Sequence, residues 1–275
     1  MPPASGVPER AGRAEIAVFL GLTFALSSIF YFLILRSGDL SAGGGSLTMG
    51  LMWCPGIAAM ATLVWFRRSL RGLGWGAGPW RFWFWGYGSP ILYAGVVYGI
   101  AWATGLGAID QEVSQRLTAT RLLTLIPLGT AMSGLTALGE ELGWRGFLTP
   151  RLHARLGFSR STLVTGMIWA AWHYPLLLFA GYNSGTPWWF GLTCFTIMVV
   201  GISFLFAWLR LTSGSVWPAV WLHASHNLYI QGFFDRLTAD TGPTEWWISE
   251  FGAGLALAAL GVWLIVLKRL PRSGW

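Results

Sequence analysis

Residues 121–148 read RLLTLIPLGTAMSGLTALGEELGWRGFL. An almost wholly apolar run, long enough to cross a bilayer, meets two adjacent carboxylates, Glu140 and Glu141, with no loop signal between. An acidic residue at the centre of a membrane helix costs about 2.5–3.5 kcal/mol on insertion scales. Ionisable side chains inside spans therefore face protein or a water-filled cavity and mark function. This stretch sets the class of the chain and points to its chemistry.

The rest of the composition agrees. Hydrophobic residues make up 54% of the 275, and only 11% are charged. Soluble domains carry about 25% charged residues. Mean hydropathy is +0.55. The net charge of +7 does not point to nucleic acid, because basic residues in a polytopic protein report topology. Cys54 and Cys194 both lie in apolar segments and make neither a disulfide framework nor a Cys-rich metal site. The apolar stretch after Arg13 exceeds a signal-peptide core and reads as a retained first span.

Eight apolar segments stand at 14–35, 46–66, 82–106, 121–142, 161–180, 187–209, 215–233 and 248–267. Lipid leaves only helices for these, since open sheet edges go unsatisfied there. The expected fold class is an all-α polytopic membrane protein of about eight transmembrane helices. One membrane domain is expected over 1–275. With both termini cytoplasmic, 14 of the 18 basic residues fall to the inner side, Arg145, Arg151 and Arg210 among them. Only Arg36, Arg116, Arg121 and Arg236 go outside, a split that fits the positive-inside rule. Most acids fall to the outer loops, Asp39, Asp110, Glu112, Asp235, Asp240, Glu245 and Glu250, and Glu9 and Glu15 to the N-terminal tail. On this reading Arg145 marks the cytosolic edge of the fourth span.

Three spans in all hold such polar residues. Glu141 and Arg145, four apart, meet on one helix face, so Arg145 neutralises Glu141 and Glu140 is left to face a cavity. In MIWAAWHYPLL, Trp169 and His173 share a face, and Pro175 invites a kink near the histidine. In WPAVWLHASHNLYI, His223, His226 and Asn227 fall on one flank. Two chemistries fit the set. Glu140 and His173 can activate water, with His223 and Asn227 donating to the oxyanion. Alternatively, Glu140, His173 and His223 can hold zinc, two His and one Glu being a catalytic ligand set. No H-E-x-x-H is present, and no G-x-S-x-G supports a serine nucleophile.

These three segments resemble the CAAX prenyl endopeptidase type II and bacteriocin-processing (CPBP, or Abi) intramembrane protease family. The family's E-E-x-x-x-R stands as Glu140-Glu141-Leu-Gly-Trp-Arg145, its aromatic four residues before His as Trp169 and His173, and its H-x-x-x-N as His223 and Asn227. The match covers about 121–233, the expected protease core. The resemblance implies an eight-span fold whose site opens toward the cytosol. It implies hydrolysis of a peptide bond in a membrane-associated protein or peptide, including prenylated CAAX substrates, at a multi-pass site in a bacterial inner membrane. Carried over, Glu140 and His173 activate water and His223 and Asn227 hold the oxyanion. Glu141 and Arg145 support them, and Trp169 and His226 line the substrate path. A mechanism without metal is favoured, because Asn is a poor zinc ligand and a good oxyanion donor. The expected partners are membrane lipids and the substrate. The alternatives are a non-catalytic immunity or assembly factor on the same fold, and a proton-coupled transporter.

One conflict arises from spacing. Counted from the nearest cytosolic charges at about 1.5 Å per residue, Glu140 lies about five residues deep, His223 about eight and His173 about thirteen. Straight helices of that kind do not bring them together. Either the fourth span tilts or runs on past Arg145, or residues 151–160 form an interfacial helix.

Overall fold

The computed structural model describes residues 12–183 and 185–269. Glu9, Arg10, Arg272 and both chain ends lie outside the described residues. The expected all-α membrane architecture is found. The long helices are α1 (Arg13–Ser37), α2 (Ser46–Trp65) and α3 (Trp80–Thr104). A short α4 (Gln111–Arg116) precedes α5 (Ala119–Glu141) and α6 (Thr149–Phe179). Then come α7 (Trp188–Ser213), α8 (Trp217–His226), a one-turn α9 (Thr244–Trp247) and α10 (Ala253–Arg269). Each of the eight apolar segments is helical through most of its length. Four helical runs, Arg13–Ser37, Ala42–Trp65, Ala119–Phe179 and Trp188–Ser213, are long and apolar enough to cross a membrane.

The surface has the inverted character that lipid requires. Large apolar side chains such as Phe32, Val64, Leu92 and Val96 are exposed, while Thr23, Ser27, Thr62 and Ser203 are buried. The hydroxyls of Thr23, Thr62 and Ser203 donate to the carbonyl four residues earlier. Each of these three donors is thereby satisfied within its own helix.

The bundle has two distinct ends. At one, Glu15 at the start of α1 is buried and pairs with Arg68 after α2 (3.0 Å) and Arg151 in α6 (3.2 Å). The amide of Val216 donates to the carbonyl of Gly74 at this same end. At the other, the strands β1 (Ala108–Ile109) and β2 (Thr238–Ala239) pair antiparallel. The Tyr182 hydroxyl there donates to Glu250 at 2.6 Å. We call these the basic end and the acidic end, after their charges.

The depth conflict is resolved by where the chain turns. Helix α5 does not stop at Arg145. It passes through a π-helical turn, Leu142–Leu148, straight into α6. The reversal comes at Gly157, whose φ of 70° and ψ of −179° fall in a region open essentially to glycine alone. Residues on either side then face each other: Thr149 Oγ1 lies 3.5 Å from Thr165 Oγ1, and Trp144 meets Trp172 edge to face. Glu140 is seventeen residues before Gly157 and His173 sixteen after, so an antiparallel hairpin sets them at one depth. Arg145 is therefore not the cytosolic edge. It is 1% exposed and deep in the bundle, and Arg151 and Arg210 are buried too. Nor does Pro175 break its helix; the non-helical dihedrals in α6 are those of Gly157.

The position of α5 is set by small residues. A Cβ on Gly139 would stand 2.7 Å from the carbonyl oxygen of Met52, and one on Gly143 would stand 2.4 Å from Pro55. Both belong to α2. The G-E-E-L-G stretch is thus a small-xxx-small seam, which presses its glycines on α2 and turns its glutamates the other way. Gly143→Ala is expected to destabilise by about 1–3 kcal/mol, the usual cost of overpacking. Thermal unfolding in detergent should show a lowered midpoint for it and none for Gly95→Ala, where a Cβ meets open space.

Candidate functional site

The two glutamates diverge as their 100° rotation requires. Glu141 is fully buried and one of its oxygens, Oε1, accepts twice, from Arg145 Nη1 at 3.0 Å and from His223 Nδ1 at 2.9 Å. The guanidinium is held on every side. Its Nη2 donates to Ser203 Oγ at 3.2 Å, and its carbon lies 4.0 Å from the ring centroids of both Trp169 and Phe206. Cation–π contacts in a desolvated setting contribute about 2 kcal/mol or more. Arg145 thus neutralises Glu141 while joining α5, α6 and α7.

Glu140 is 1% exposed and takes a different partner: Trp169 Nε1 donates to its Oε2 at 2.7 Å. The single indole donor of Trp169 is spent on orienting this carboxylate, a duty that the sequence reading did not give it. His173 Nδ1 stands 2.9 Å from the carbonyl oxygen of Trp169. That acceptor carries no proton, so Nδ1 holds the ring hydrogen and Nε2 keeps its lone pair when the ring is neutral. Trp172 and Phe195 pack edge-on against the imidazole.

Helix α8 ends at His226 and continues as a second π-helical turn, Asn227–Phe234. Two of the three motif-bearing segments therefore run into π-turns, which gather at functional sites. His223 stands edge-on to Trp169 and Phe206. Half-buried Asn227 opens the second π-turn. His226 uses both nitrogens, Nδ1 with the Tyr93 hydroxyl and Nε2 with Glu250 Oε1 at 2.9 Å. Glu250 also accepts from Tyr182 and Gln231. This buried cluster was missed because loop position sent Glu250 to solvent. The pairing His226–Glu250 has no spacing signal across 24 residues.

Glu140, Trp169, His173, His223 and Asn227 share one wall of a cavity of about 680 Å³, within the usual range for ligand sites. His226 and Glu250 line it further out. Its apolar walls include Met49, Met52, Met132, Leu176 and Met198. Its outer part reaches the 38–45 loop at Leu40, Ser41, Gly44 and Gly45, and Arg236 beyond the second π-turn. Toward the basic end lies packed aromatic core. Phe19, Trp144 and Phe147 are fully buried, Phe19 stacking on Phe147 at 4.7 Å and meeting Trp144 edge-on.

Zinc was one of the two chemistries that the residues allow. Among the described residues, no three His, Cys, Asp or Glu side chains converge at metal-holding distance. Glu140, His173 and His223 as they stand do not form a three-ligand cage.

Removing Arg145 leaves the Glu141 charge buried without its cation, a loss that costs about 3–5 kcal/mol for such pairs. Arg145→Met is expected to lower the thermal midpoint in detergent sharply. Arg145→Met combined with Glu141→Gln should regain most of the loss, and a double-mutant cycle measures the coupling.

Comparison with known proteins bears on this region. The family model described as type II CAAX prenyl endopeptidase Rce1-like matches residues 122–229. A protein named CAAX prenyl protease 2, from Methanococcus maripaludis, is 31% identical over 102 residues. That alignment takes in 34% of this chain and 36% of the relative, so the chain spans about a third of the curated relative's length. Every residue of the site wall lies inside the matched segment. The segment that carries the site is thus similar to type II CAAX prenyl endopeptidase Rce1-like proteins.

Proposed function

We propose that the chain is an intramembrane endopeptidase, a multi-pass protein of the cell membrane that hydrolyses a peptide bond of a membrane-associated substrate by glutamate-based catalysis. The observation that carries this reading is the placement of Glu140. It is buried, fixed by the Trp169 indole, and on the same cavity wall as His173, His223 and Asn227. A carboxylate so held can meet a water inside the cavity while its neighbour Glu141 is consumed by Arg145 and His223.

In the proposed reaction, water enters between Glu140 and the scissile carbonyl. Glu140 takes one proton as the water oxygen bonds to the carbonyl carbon. The carbonyl π electrons move to oxygen, and Asn227 and His223 donate to the resulting oxyanion. With Nδ1 donating to Glu141, His223 offers an Nε2–H only from its doubly protonated ring, whereas the Asn227 amide donates in any state. The intermediate collapses, the C–N bond breaks, and the departing nitrogen receives the proton that Glu140 took. His173 Nε2, with its lone pair directed by the Nδ1 bond, assists in positioning the water. The products are a carboxylic acid and an amine.

The relative's name, CAAX prenyl protease 2, makes prenylated C-terminal peptides one substrate class to test. The single decisive experiment is a cleavage assay with purified protein. Glu140→Ala is expected to lose turnover while keeping the wild-type thermal midpoint, and a chelator is expected to leave the wild type unchanged. Retained turnover in Glu140→Ala overturns the reading, and loss of turnover on chelation overturns its metal-free form.

A further inference from the structure

Among the described residues, the cavity lining runs out to one end of the bundle, and the charges of that end say which side of the membrane it faces. From these two observations we infer that the site is entered from the extracytoplasmic side, so that its substrates are exported, membrane-anchored peptides or proteins presented at the outer leaflet. The inference concerns access and deepens the proposed proteolytic function, on which its substrate class rests.

The first observation is geometric. From Glu140, the lining runs through Thr136 and Met132 along α5 toward its N-terminal end, and reaches Ser41, Gly45 and Arg236. All of these lie toward the acidic end, where β1 pairs β2 and Tyr182 meets Glu250. In the opposite direction Phe19, Trp144 and Phe147 close the core with no exposed surface. Beyond them stands the buried Glu15 ion-pair cluster with Arg68 and Arg151. A substrate reaches Glu140 from the acidic end and is blocked from the basic end.

The second observation is electrostatic. Among the described residues, the basic end carries nine arginines and lysines at helix ends and loops: Arg13, Arg67, Arg68, Arg71, Arg81, Arg155, Arg160, Lys268 and Arg269. The acidic end carries four, Arg36, Arg116, Arg121 and Arg236, against seven acids from Asp39 to Glu250. The buried Arg145, Arg151 and Arg210 are left out of this count because they sit within the bundle, and the bias survives without them. Basic loops stay in the cytoplasm, which sends the mouth of the cavity to the other side. A site opening toward the cytosol, as the family resemblance implies, and a cytoplasmic basic end are therefore incompatible in this fold.

Two measurements test this, and they fail independently. The first reads orientation without any need for activity. Ser114, exposed on α4 at the acidic end, and Ser159, exposed beside the Gly157 turn at the basic end, are replaced singly as Ser114→Cys and Ser159→Cys. The wild type with its buried Cys54 and Cys194 serves as the blank. A membrane-impermeant maleimide applied to intact cells is expected to label Ser114→Cys and to spare Ser159→Cys until the membrane is permeabilised. Labelling of Ser159→Cys in intact cells, or failure to label Ser114→Cys there, overturns the inference.

The second measurement reads access to the reaction. A fluorophore–quencher peptide carrying one acyl chain is added to sealed vesicles of either sidedness. Cleavage is expected in right-side-out vesicles, with loss in inverted ones and in Glu140→Ala. Cleavage confined to inverted vesicles overturns the inference. Cleavage in neither counts against peptide hydrolysis and so against the substrate class, while the labelling still decides the side.

Discussion

Glu141 Oε1 accepting at once from Arg145 and His223 is the contact on which the rest of the site depends. A carboxylate buried without compensation costs far more than a helix can recover, and the same holds for a guanidinium. Here each meets the other at 3.0 Å, and Ser203, Trp169 and Phe206 surround what remains of the cation. Because these partners come from α5, α6, α7 and α8, the ion pair fixes four helices in one register. The second carboxylate is thereby released from any structural duty.

That release explains why adjacent glutamates behave so differently. Consecutive positions on a helix point about 100° apart. Gly139 and Gly143 press the backbone onto α2, which turns the intervening acids toward α6 and α8. Glu141 faces Arg145 and His223, and Glu140 faces Trp169 and the cavity. The π-turn that follows adds a residue to the helical repeat and so shifts the phase of the side chains after it. A helix continued to Phe147 without that turn would set its later side chains out of phase.

The bundle also separates its two ends by function. One is filled with aromatic side chains and closed by the Glu15 pairs with Arg68 and Arg151. The other leaves the glycine-rich 38–45 loop and the second π-turn around an opening. The His226–Glu250 cluster, with Tyr93, Tyr182 and Gln231, holds α3, α8 and the α9–α10 connection around that opening. It has the rigidity expected of a rim built from fully partnered polar groups.

The sequence by itself determined the membrane class, the eight apolar segments, and six of the side chains that line the cavity, Glu140, Trp169, His173, His223, His226 and Asn227. These rest on local quantities: hydropathy over about twenty residues, and polar groups too costly in lipid to be there without a purpose. The Glu141–Arg145 pair was legible for the same reason, being one helical turn apart. Tertiary structure alone decided where the chain turns. Arg145 looked like a membrane edge because a charge in a loop and a charge paired in the core are the same letter in the sequence. Only the φ of Gly157 and the contacts across it show that the reversal comes twelve residues later, which brings Glu140 and His173 to one depth. The partners of Trp169, the His226–Glu250 pairing and the end at which the cavity opens were likewise out of reach. Each depends on which helices pack side by side, and that is settled by shape at seams such as Gly139–Gly143, where the absence of a Cβ is what matters.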